Sequence, residues 1–339
     1  MKAVVVCPGR GTYGKAELGS LLAHHGGKTA LLAGYEAVRR EAGQPGLAEL
    51  DGAARFDPAL HTRGDNASAL IHAITVADAM DLSGVEVVAV TGNSMGWYSA
   101  LAVGGALSEV DGFRLANGMG SLMQAALIGG QLVYPHMGDD WLLDAGRKEE
   151  LLALTAKIDA REGHALSLSI DLGGMLVLAG NEAGLAAFEA AVPKSGQFPL
   201  RLPNHAAFHS ALQTPVAAQG RKAFEGLPWH QPRVPMIDGR GAVWWPGATD
   251  AAALADYTLG HQVVKSYDFT RAIAVAAREF APDVFIVTGP GTTLGGAVAQ
   301  SLICAGWRGM ATKADFTARQ AEAPVLISMG RPEQRALVV

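Results

Sequence analysis

Short apolar runs and longer mixed segments alternate along the chain. Residues 3–7, 85–90 and 283–288 are brief runs rich in Val, Ile and Phe, which is typical of buried strands. Residues 67–80 form a longer, mostly apolar stretch that predicts a helix, as does the segment after Ser108 up to about residue 127. Such alternation predicts an α/β fold with a mainly parallel sheet covered on both faces.

The pattern changes between residues 129 and 202. Apolar runs and amphipathic stretches there follow the order strand, helix, strand, strand, helix, strand. This order is that of a ferredoxin-like unit. We therefore predict a small inserted subdomain at 129–202, with residues 1–128 and 203–339 forming one large α/β-hydrolase-like domain.

Other local patterns give predictions that a structure can test. Residues 267–280 are predicted to be a helix and 51–63 a loop. The residues predicted to cap helices are Asp65 or Asn66, Ser108, Ser210 and Thr292.

Composition and charge narrow the function classes. With 339 residues and a net charge of -5, the chain has a sizeable core and no basic cluster for nucleic acid. No apolar run reaches the roughly 20 residues of a membrane span, and the apolar run at the start is too short for a signal peptide. Cys7 and Cys304 lack metal-ligand spacing, so we expect a cytoplasmic protein without a metal site.

Residues 92–96 read Gly-Asn-Ser-Met-Gly and follow a predicted strand. G-x-S-x-G between a strand and a helix is the nucleophile-elbow pattern, which exposes Ser94 at the tip of a tight turn. The amide of Met95 would then point towards a developing oxyanion. An ordinary glycine-bearing loop is the alternative, because the motif is common by chance.

A second glycine pattern follows the first strand, with Gly9, Gly11 and Gly14 in the spacing G-x-G-x-x-G. This spacing is a signal for dinucleotide binding, but a second strand ending in an acidic residue does not follow. The other interpretation is a loop that brings backbone amides close to a reacting group.

A serine nucleophile needs a base, and histidine is suited to that role near pH 7. His205 and His209 are the best candidates among the ten histidines, because they lie in a short loop where the two predicted units join. The others are scattered along the chain, where structural or surface roles are commoner.

Four separated motifs resemble, in order, those of the malonyl-CoA:acyl-carrier-protein transacylase family, which includes acyltransferase domains of fatty-acid and polyketide synthases. They are Pro-Gly-Arg-Gly at 8–11, the elbow and its helix at 92–101 with Gly-Ala-Leu-Ser at 105–108, Ala-Phe-His-Ser-Ala-Leu at 207–212, and Val-Thr-Gly-Pro-Gly-Thr-Thr-Leu at 287–294. Together they span nearly the whole chain.

The resemblance implies a ping-pong mechanism without a bound cofactor. Ser94 would attack an acyl-CoA thioester with His209 as base, and the amides of Arg10 and Met95 would hold the oxyanion. The backbone carbonyl of Gln262 would orient the histidine. The phosphopantetheine thiol of an acyl carrier protein would then take the acyl group, and the enzyme would act in trans with a fatty-acid or polyketide synthase.

Several positions depart from the family pattern around the predicted acyl pocket. The Arg that pairs with the malonate carboxylate in malonyl-specific members is replaced by Met119, while Asn93 and Trp97 replace a His and a Glu. A thioether cannot hold a buried carboxylate, so Met119, together with Phe208 beside the histidine, favours a non-carboxylated acyl group. Arg10 replaces a Gln.

The side chain of Arg10 admits two interpretations. Its guanidinium is expected to point to solvent or to pair with CoA phosphates. A sharper hypothesis is that it reaches the acyl pocket and replaces the missing carboxylate clamp.

Three other functions remain open at this point. An acyl-thioester hydrolase would use the same Ser and His with water as acceptor. A nucleotide-binding oxidoreductase would use the glycine loop at 9–14, and a non-catalytic partner of a synthase would need none of these residues.

Overall fold

A computed structural model describes residues 1–339. Its strands are, in chain order, β1 Lys2–Cys7, β2 Glu86–Gly92, β3 Gly130–Pro135, β4 Leu166–Leu172, β5 Met175–Gly180, β6 Leu200–Arg201, β7 Met236–Ile237, β8 Val243–Trp244, β9 Tyr267–Asp268, β10 Val284–Val287 and β11 Leu326–Ser328.

The helices make up the larger part of the regular structure. They are α1 Ser20–His25, α2 Thr29–Glu41, α3 Leu47–Asp51, α4 Pro58–His61, α5 Gly64–Asp81, α6 Gly96–Val103, α7 Glu109–Ala126, α8 Ala145–Asp159, α9 Glu182–Ala191, α10 Thr214–Ala223, α11 Ala251–Asp256, α12 Gln262–Val264, α13 Phe269–Phe280, α14 Leu294–Cys304, α15 Lys313–Glu322 and α16 Pro332–Arg335. Short 3₁₀ turns lie at Lys15–Glu17, Ala211–Gln213 and Trp307–Gly309, and a π-helical turn lies at Tyr257–His261.

The larger sheet has the strand order β11-β10-β1-β2-β7-β8. All neighbouring pairs in it are parallel except β7 with β8, which is antiparallel. β1 and β10 are almost entirely buried because helices cover both faces of the sheet. The predicted α/β fold with a mainly parallel sheet is thus confirmed.

The second sheet has the order β6-β3-β5-β4-β9. Its first four strands pair antiparallel, and with α8 and α9 they give the β-α-β-β-α-β order of a ferredoxin-like unit. A separate cluster of ten buried residues, including Leu132, Leu178 and Phe188, fills the space beneath its helices. The strand β9 comes from residues 267–268, outside the predicted subdomain, and pairs parallel with β4.

Five local predictions need correction. Residues 267–280 are not one helix, since β9 precedes α13. The segment 51–63 includes the short helix α4. Asp65 and Asn66 lie inside α5, whose N-cap is Arg63.

Two other predicted caps also need correction. Ser210 occupies the N-cap position of the 3₁₀ turn Ala211–Gln213, but its hydroxyl donates to the Ala207 carbonyl and caps no amide. Thr293, not Thr292, occupies the N-cap of α14. The cap predicted at Ser108 is confirmed, because its hydroxyl accepts from the amide of Asp111.

None of the helices combines the length and apolar character that crossing a bilayer requires.

Candidate active site

The turn at the end of β2 places Ser94 at the tip of a strained elbow. Ser94 has a φ of 56°, the left-handed region that side chains other than glycine seldom adopt. Gly92 and Gly96 permit this turn. A Cβ on Gly92 would lie 2.3 Å from the backbone carbon of Gly96, and a Cβ on Gly96 would lie 2.1 Å from the Cys7 carbonyl oxygen. The close approach of β1, the elbow and α6 therefore needs glycine at both positions.

The Ser94 hydroxyl lies against a histidine that comes from a loop 115 positions away. Ser94 Oγ is 2.7 Å from His209 Nε2, and His209 Nδ1 is 2.6 Å from the Gln262 carbonyl oxygen. A carbonyl only accepts, so Nδ1 carries the proton and Nε2 is left as the acceptor for the serine hydroxyl. The structure brings Ser94, His209 and Gln262 into one hydrogen-bonded chain.

Buried surroundings keep His209 neutral. The residue is 4% exposed, and burial lowers its pKa to about 4, although the hydrogen bond to Gln262 acts in the opposite direction. The ring of Tyr267 packs at 5.5 Å, and the Tyr267 hydroxyl donates to the Gly92 carbonyl. At neutral pH the imidazole is thus free to accept a proton.

Gln262, the residue predicted to orient the histidine, is buried. It begins α12 directly after the π-helical turn, a geometry that is frequent at functional sites. Its side-chain amide donates to the Ser94 carbonyl at 3.1 Å, and its Oε1 accepts from the Tyr98 hydroxyl at 3.1 Å. Gln262 thus holds the histidine by its backbone and the elbow by its side chain.

Two backbone amides beside the nucleophile have no partner within the protein. Met95 precedes the first turn of α6 and Arg10 follows β1, and neither amide donates a backbone hydrogen bond. The loop of Arg10 lies against the elbow, since a Cβ on Gly9 would be 2.6 Å from the Asn93 carbonyl oxygen. Free donors at a helix N-terminus are the arrangement that stabilises an oxyanion.

The glycine loop at 9–14 supports the backbone-approach interpretation more than dinucleotide binding. Gly14 is followed by a single 3₁₀ turn at Lys15–Glu17, not by the long helix that receives a pyrophosphate. The side chain of Glu17 accepts from the Gly14 amide and so places a carboxylate where a phosphate would lie.

A narrow cavity opens beside Ser94 and His209. Its volume is about 20 Å³, enough for one water molecule. The lining residues are Arg10, Ser68, Ser94, Met95, Tyr98, Gly120, Met123, Phe208, His209, Gln262 and Val263. Phe208, one of the residues predicted for the acyl pocket, lines the cavity, and Arg10 supplies its one full charge.

Three residues predicted for the acyl pocket do not line this cavity. Trp97 is fully buried on another side of α6 from Met95 and Tyr98, and its indole donates to the Thr258 hydroxyl. Asn93 packs against the glycine loop at Gly9.

Met119 is the third of these residues. It lies on α7 four residues before Met123, one helical turn away on the same side of the helix. Its sulfur packs against Gly220 of α10. Gly120 and Met123 of α7 line the cavity, and Met119 does not.

The Arg10 guanidinium does not point to solvent, which corrects that part of the first expectation, while pairing with CoA phosphates stays a prediction. Its Nη2 donates to the carbonyls of Thr62 at 3.0 Å and Asn204 at 2.9 Å. Its guanidinium carbon lies 5.6 Å from the centre of the Phe208 ring. Burial lowers the pKa of Arg10 to about 10, against the opposing charge of Asp65.

His205, the other candidate base, does not contact Ser94. Its Nδ1 is 3.0 Å from the Pro203 carbonyl, and its ring meets Phe208 edge-on. Burial, assisted by the charge of Arg10, lowers its pKa to about 3.

Sequence reasoning missed Ser68, Tyr98 and Met123 as lining residues. Tyr98 lies three residues after Met95, so the spacing of one helix face was the signal that could have found it. Ser68 and Met123 come from α5 and α7, and only the packing of those helices shows that they face the elbow.

Comparison with solved structures identifies the fold. The crystal structure of an acyl-carrier-protein S-malonyltransferase from Burkholderia pseudomallei matches 99% of both chains with a TM-score of 0.77 at 22% sequence identity. The chain has the fold of the malonyl-CoA:acyl-carrier-protein transacylases. A malonyl-transacylase solved in complex with a type II polyketide synthase acyl-carrier protein matches 99% of this chain with a TM-score of 0.75 at 20% identity.

Sequence relatives include a malonyl CoA-acyl carrier protein transacylase and polyketide synthases, so the predicted resemblance to this family is confirmed. The malonyl CoA-acyl carrier protein transacylase of Salmonella typhimurium is 26% identical over 60% of this chain and 63% of its own length. A polyketide synthase of Streptomyces halstedii is 31% identical over 62% of this chain, which spans 4% of that synthase. No protein-family model matches the chain.

Proposed function

We propose that the protein transfers an acyl group from an acyl-CoA to the phosphopantetheine thiol of an acyl carrier protein through an acyl-Ser94 intermediate. The observation that carries the proposal is the 2.7 Å contact between Ser94 Oγ on a positive-φ elbow and a neutral His209 Nε2. The transacylase fold and acyltransferase relatives support the same reaction class.

In the first half-reaction, the Ser94 proton moves to His209 Nε2 as Oγ attacks the thioester carbonyl. The amides of Arg10 and Met95 donate to the oxyanion of the tetrahedral intermediate. The intermediate collapses when the C–S bond breaks. His209 gives its proton to the departing CoA sulfur, which leaves acyl-Ser94.

The second half-reaction reverses these roles. The carrier thiol gives its proton to His209 and attacks the acyl carbonyl, and the Ser94–acyl bond breaks as Oγ recovers the proton. Because a carbonyl and not a carboxylate holds His209, no charge lies behind the imidazole. The dyad therefore relies on position and on burial.

A groove beside the site suits the long thiol arm. It has a volume of about 530 Å³, within the usual range for ligand sites, and reaches His209. One wall comes from β4 and β5 of the small sheet, and the other from residues 209–212 and 264–266. We place the phosphopantetheine arm, common to CoA and the carrier protein, in this groove.

The sequence predicted a non-carboxylated acyl group from Met119. Met119 packs against Gly220 outside the cavity. Because the residues that line the cavity include a cation, we propose that they, and not Met119 alone, decide the choice of acyl group.

Intact-protein mass spectrometry tests the proposal. The enzyme is mixed separately with malonyl-, methylmalonyl-, acetyl- and longer acyl-CoA, beside Ser94→Ala as control. We expect an adduct of one acyl mass on the wild type only, which holo carrier protein then discharges. Free acid released without discharge to the carrier would assign a hydrolase, and consumption of thioester by Ser94→Ala would refute the acyl-serine route.

A further inference from the structure

The guanidinium of Arg10 is the one charged group that lines the cavity beside Ser94. The other residues that line the cavity are apolar or carry neutral polar groups, and His209 is held neutral by burial. A charge in such a place loses hydration, and proteins pair nearly all charges that they bury. We therefore examined which group could pair with the positive charge of Arg10.

No carboxylate of the protein pairs with Arg10. Its two hydrogen bonds come from one nitrogen, Nη2, and both acceptors are backbone carbonyls. Asp65, the carboxylate whose charge acts on it, instead contacts Arg63 at 3.2 Å. Arg10 is thus held in position by neutral groups while its charge stays uncompensated.

Hydrogen-bonding capacity also remains unused. The Nε of Arg10 is buried without a partner, and Nη1 donates to no group in the protein. An unsatisfied buried donor is costly. A negatively charged ligand oxygen that accepts from Nε and Nη1 would compensate the charge of Arg10 and also satisfy its unused donors.

The anchoring contacts prepare Arg10 for such a ligand. Thr62 follows α4 and Asn204 lies in the loop before His209, and the Asn204 amide donates to the Thr62 hydroxyl at 2.8 Å. Phe208 lies beneath the guanidinium at 5.6 Å. These contacts fix the side chain at the cavity that also contains the Ser94 nucleophile, so little entropy is lost when an anion binds.

We infer that Arg10 is the specificity-determining residue of this transferase and binds a carboxylate at the far end of the acyl group. The substrate class is accordingly a carboxyacyl thioester such as malonyl-CoA, because a carboxylate supplies both the negative charge and the acceptor oxygens that the free side of Arg10 lacks. This inference rests on the proposed acyl transfer through Ser94. Arg10, in the loop after β1, would then bind the carboxylate that the thioether of Met119 cannot bind.

The test compares malonyl-CoA with acetyl-CoA, which differ by the carboxylate. The variants are Arg10→Gln, which keeps the backbone amide and removes the charge, and Arg10→Lys, which keeps a charge but not the planar fork. Arg63→Gln is the matched control, because this neighbouring arginine is 46% exposed and lies outside the cavity lining. The rate of acyl-Ser94 formation gives kcat/KM for each thioester.

We expect the wild type to favour malonyl-CoA. Arg10→Gln should lower malonyl loading about 100-fold relative to acetyl loading, the loss that follows removal of one partner of a buried charge pair. Arg10→Lys should fall between them, and Arg63→Gln should match the wild type. Retained acetyl loading shows that Arg10→Gln is folded and that its oxyanion amide works.

Two results would overturn the inference while the proposed function stands. They are equal malonyl-to-acetyl ratios in wild type and Arg10→Gln, and a wild type that loads acetyl in preference to malonyl. If no thioester acylates Ser94 in any variant, the proposed function fails and the role of Arg10 fails with it.

Discussion

Two residues at the centre of the site adopt a backbone conformation that side chains usually avoid. Ser94 and His209 both have a φ of 56°. Such strain costs of order 1–3 kcal/mol per residue and persists where the surrounding structure fixes the geometry. Here Gln262 supplies much of that restraint, since it accepts from His209 and donates to the Ser94 carbonyl.

The pH dependence of acylation should report the buried state of His209. With a pKa of about 4, the imidazole is neutral from neutral pH down to about pH 5 and gains a proton below that range. We expect kcat/KM for acyl-Ser94 formation to be flat above pH 5 and to fall as pH decreases through about 4.

Rapid-quench mass spectrometry across pH 3.5–8 measures this profile, with circular dichroism on the same samples as a check on folding. A fall in kcat/KM centred near pH 6.5, the ordinary pKa of histidine, would show that burial does not lower the pKa of His209.

The side chain of Gln262 should act as a positioning group. Gln262→Ala removes the bonds to the Ser94 carbonyl and Tyr98 but leaves the carbonyl that accepts from His209. We expect kcat to fall about 10-fold with KM little changed, because the dyad loses alignment and not substrate contacts. Steady-state kinetics measure the split, and Tyr98→Phe, which removes one of these bonds, should lose less.

At the scale of elements, the elbow works because three backbone segments meet without side chains between them. Gly96 begins α6 directly against the carbonyl of Cys7 at the end of β1. This contact presses the loop with Arg10 and the elbow with Ser94 together. The catalytic geometry is consequently a product of strand and helix packing.

Gly96→Ala should therefore be strongly destabilising. The added Cβ would lie 2.1 Å from the Cys7 carbonyl oxygen, so β1 or α6 must shift. We expect a loss of about 3 kcal/mol in the free energy of unfolding, measured by urea denaturation.

Gly296→Ala in α14 is the control for Gly96→Ala. A Cβ there meets no atom within 4 Å, so the change should stabilise the protein by about 0.5–1 kcal/mol. A Gly96→Ala variant as stable as the wild type would refute the close packing of β1 against the elbow.

At the scale of the whole molecule, burial of neutral histidines couples stability to pH. Burial lowers the pKa of His72 to about 3, and the same cause lowers those of His205 and His209. His72 lies in α5 with its Nδ1 3.0 Å from the Ser99 hydroxyl and its Nε2 unpaired. Each histidine binds its proton more readily in the unfolded chain.

The sign of this coupling is fixed by those pKa values. Stability is complete above about pH 6.5, where unfolded histidine is neutral, and decreases as pH falls from there towards 3. The free energy of unfolding should decrease less steeply between pH 6.5 and 4 in His72→Leu than in the wild type. The slope should change by the amount that corresponds to one bound proton.

Urea midpoints at pH 7, 6, 5 and 4 measure the slope, and His230→Leu at an exposed position is the control. An unchanged slope in His72→Leu would show that His72 does not take up a proton on unfolding.

Much of the site could be predicted because its geometry is local or repeats a family pattern. The Gly-x-Ser-x-Gly turn after a buried run pointed to Ser94, and the segment 207–212 selected His209 over His205. The α/β architecture followed from the alternation of apolar runs. The antiparallel order of the small sheet also matches the predicted element sequence, although β9 joins it from 65 residues beyond the predicted boundary.

The chain by itself therefore determined the elements, the elbow and the residue types available for catalysis, because these depend on periodicity and short-range backbone demands. Only the tertiary structure decided which side chains line the cavity. The packing of α7 against α10 places the Met119 sulfur beside Gly220, and two distant carbonyls hold the Arg10 guanidinium at the cavity beside Ser94. Helix rotation and loop anchoring depend on contacts between remote segments, and no local pattern records them.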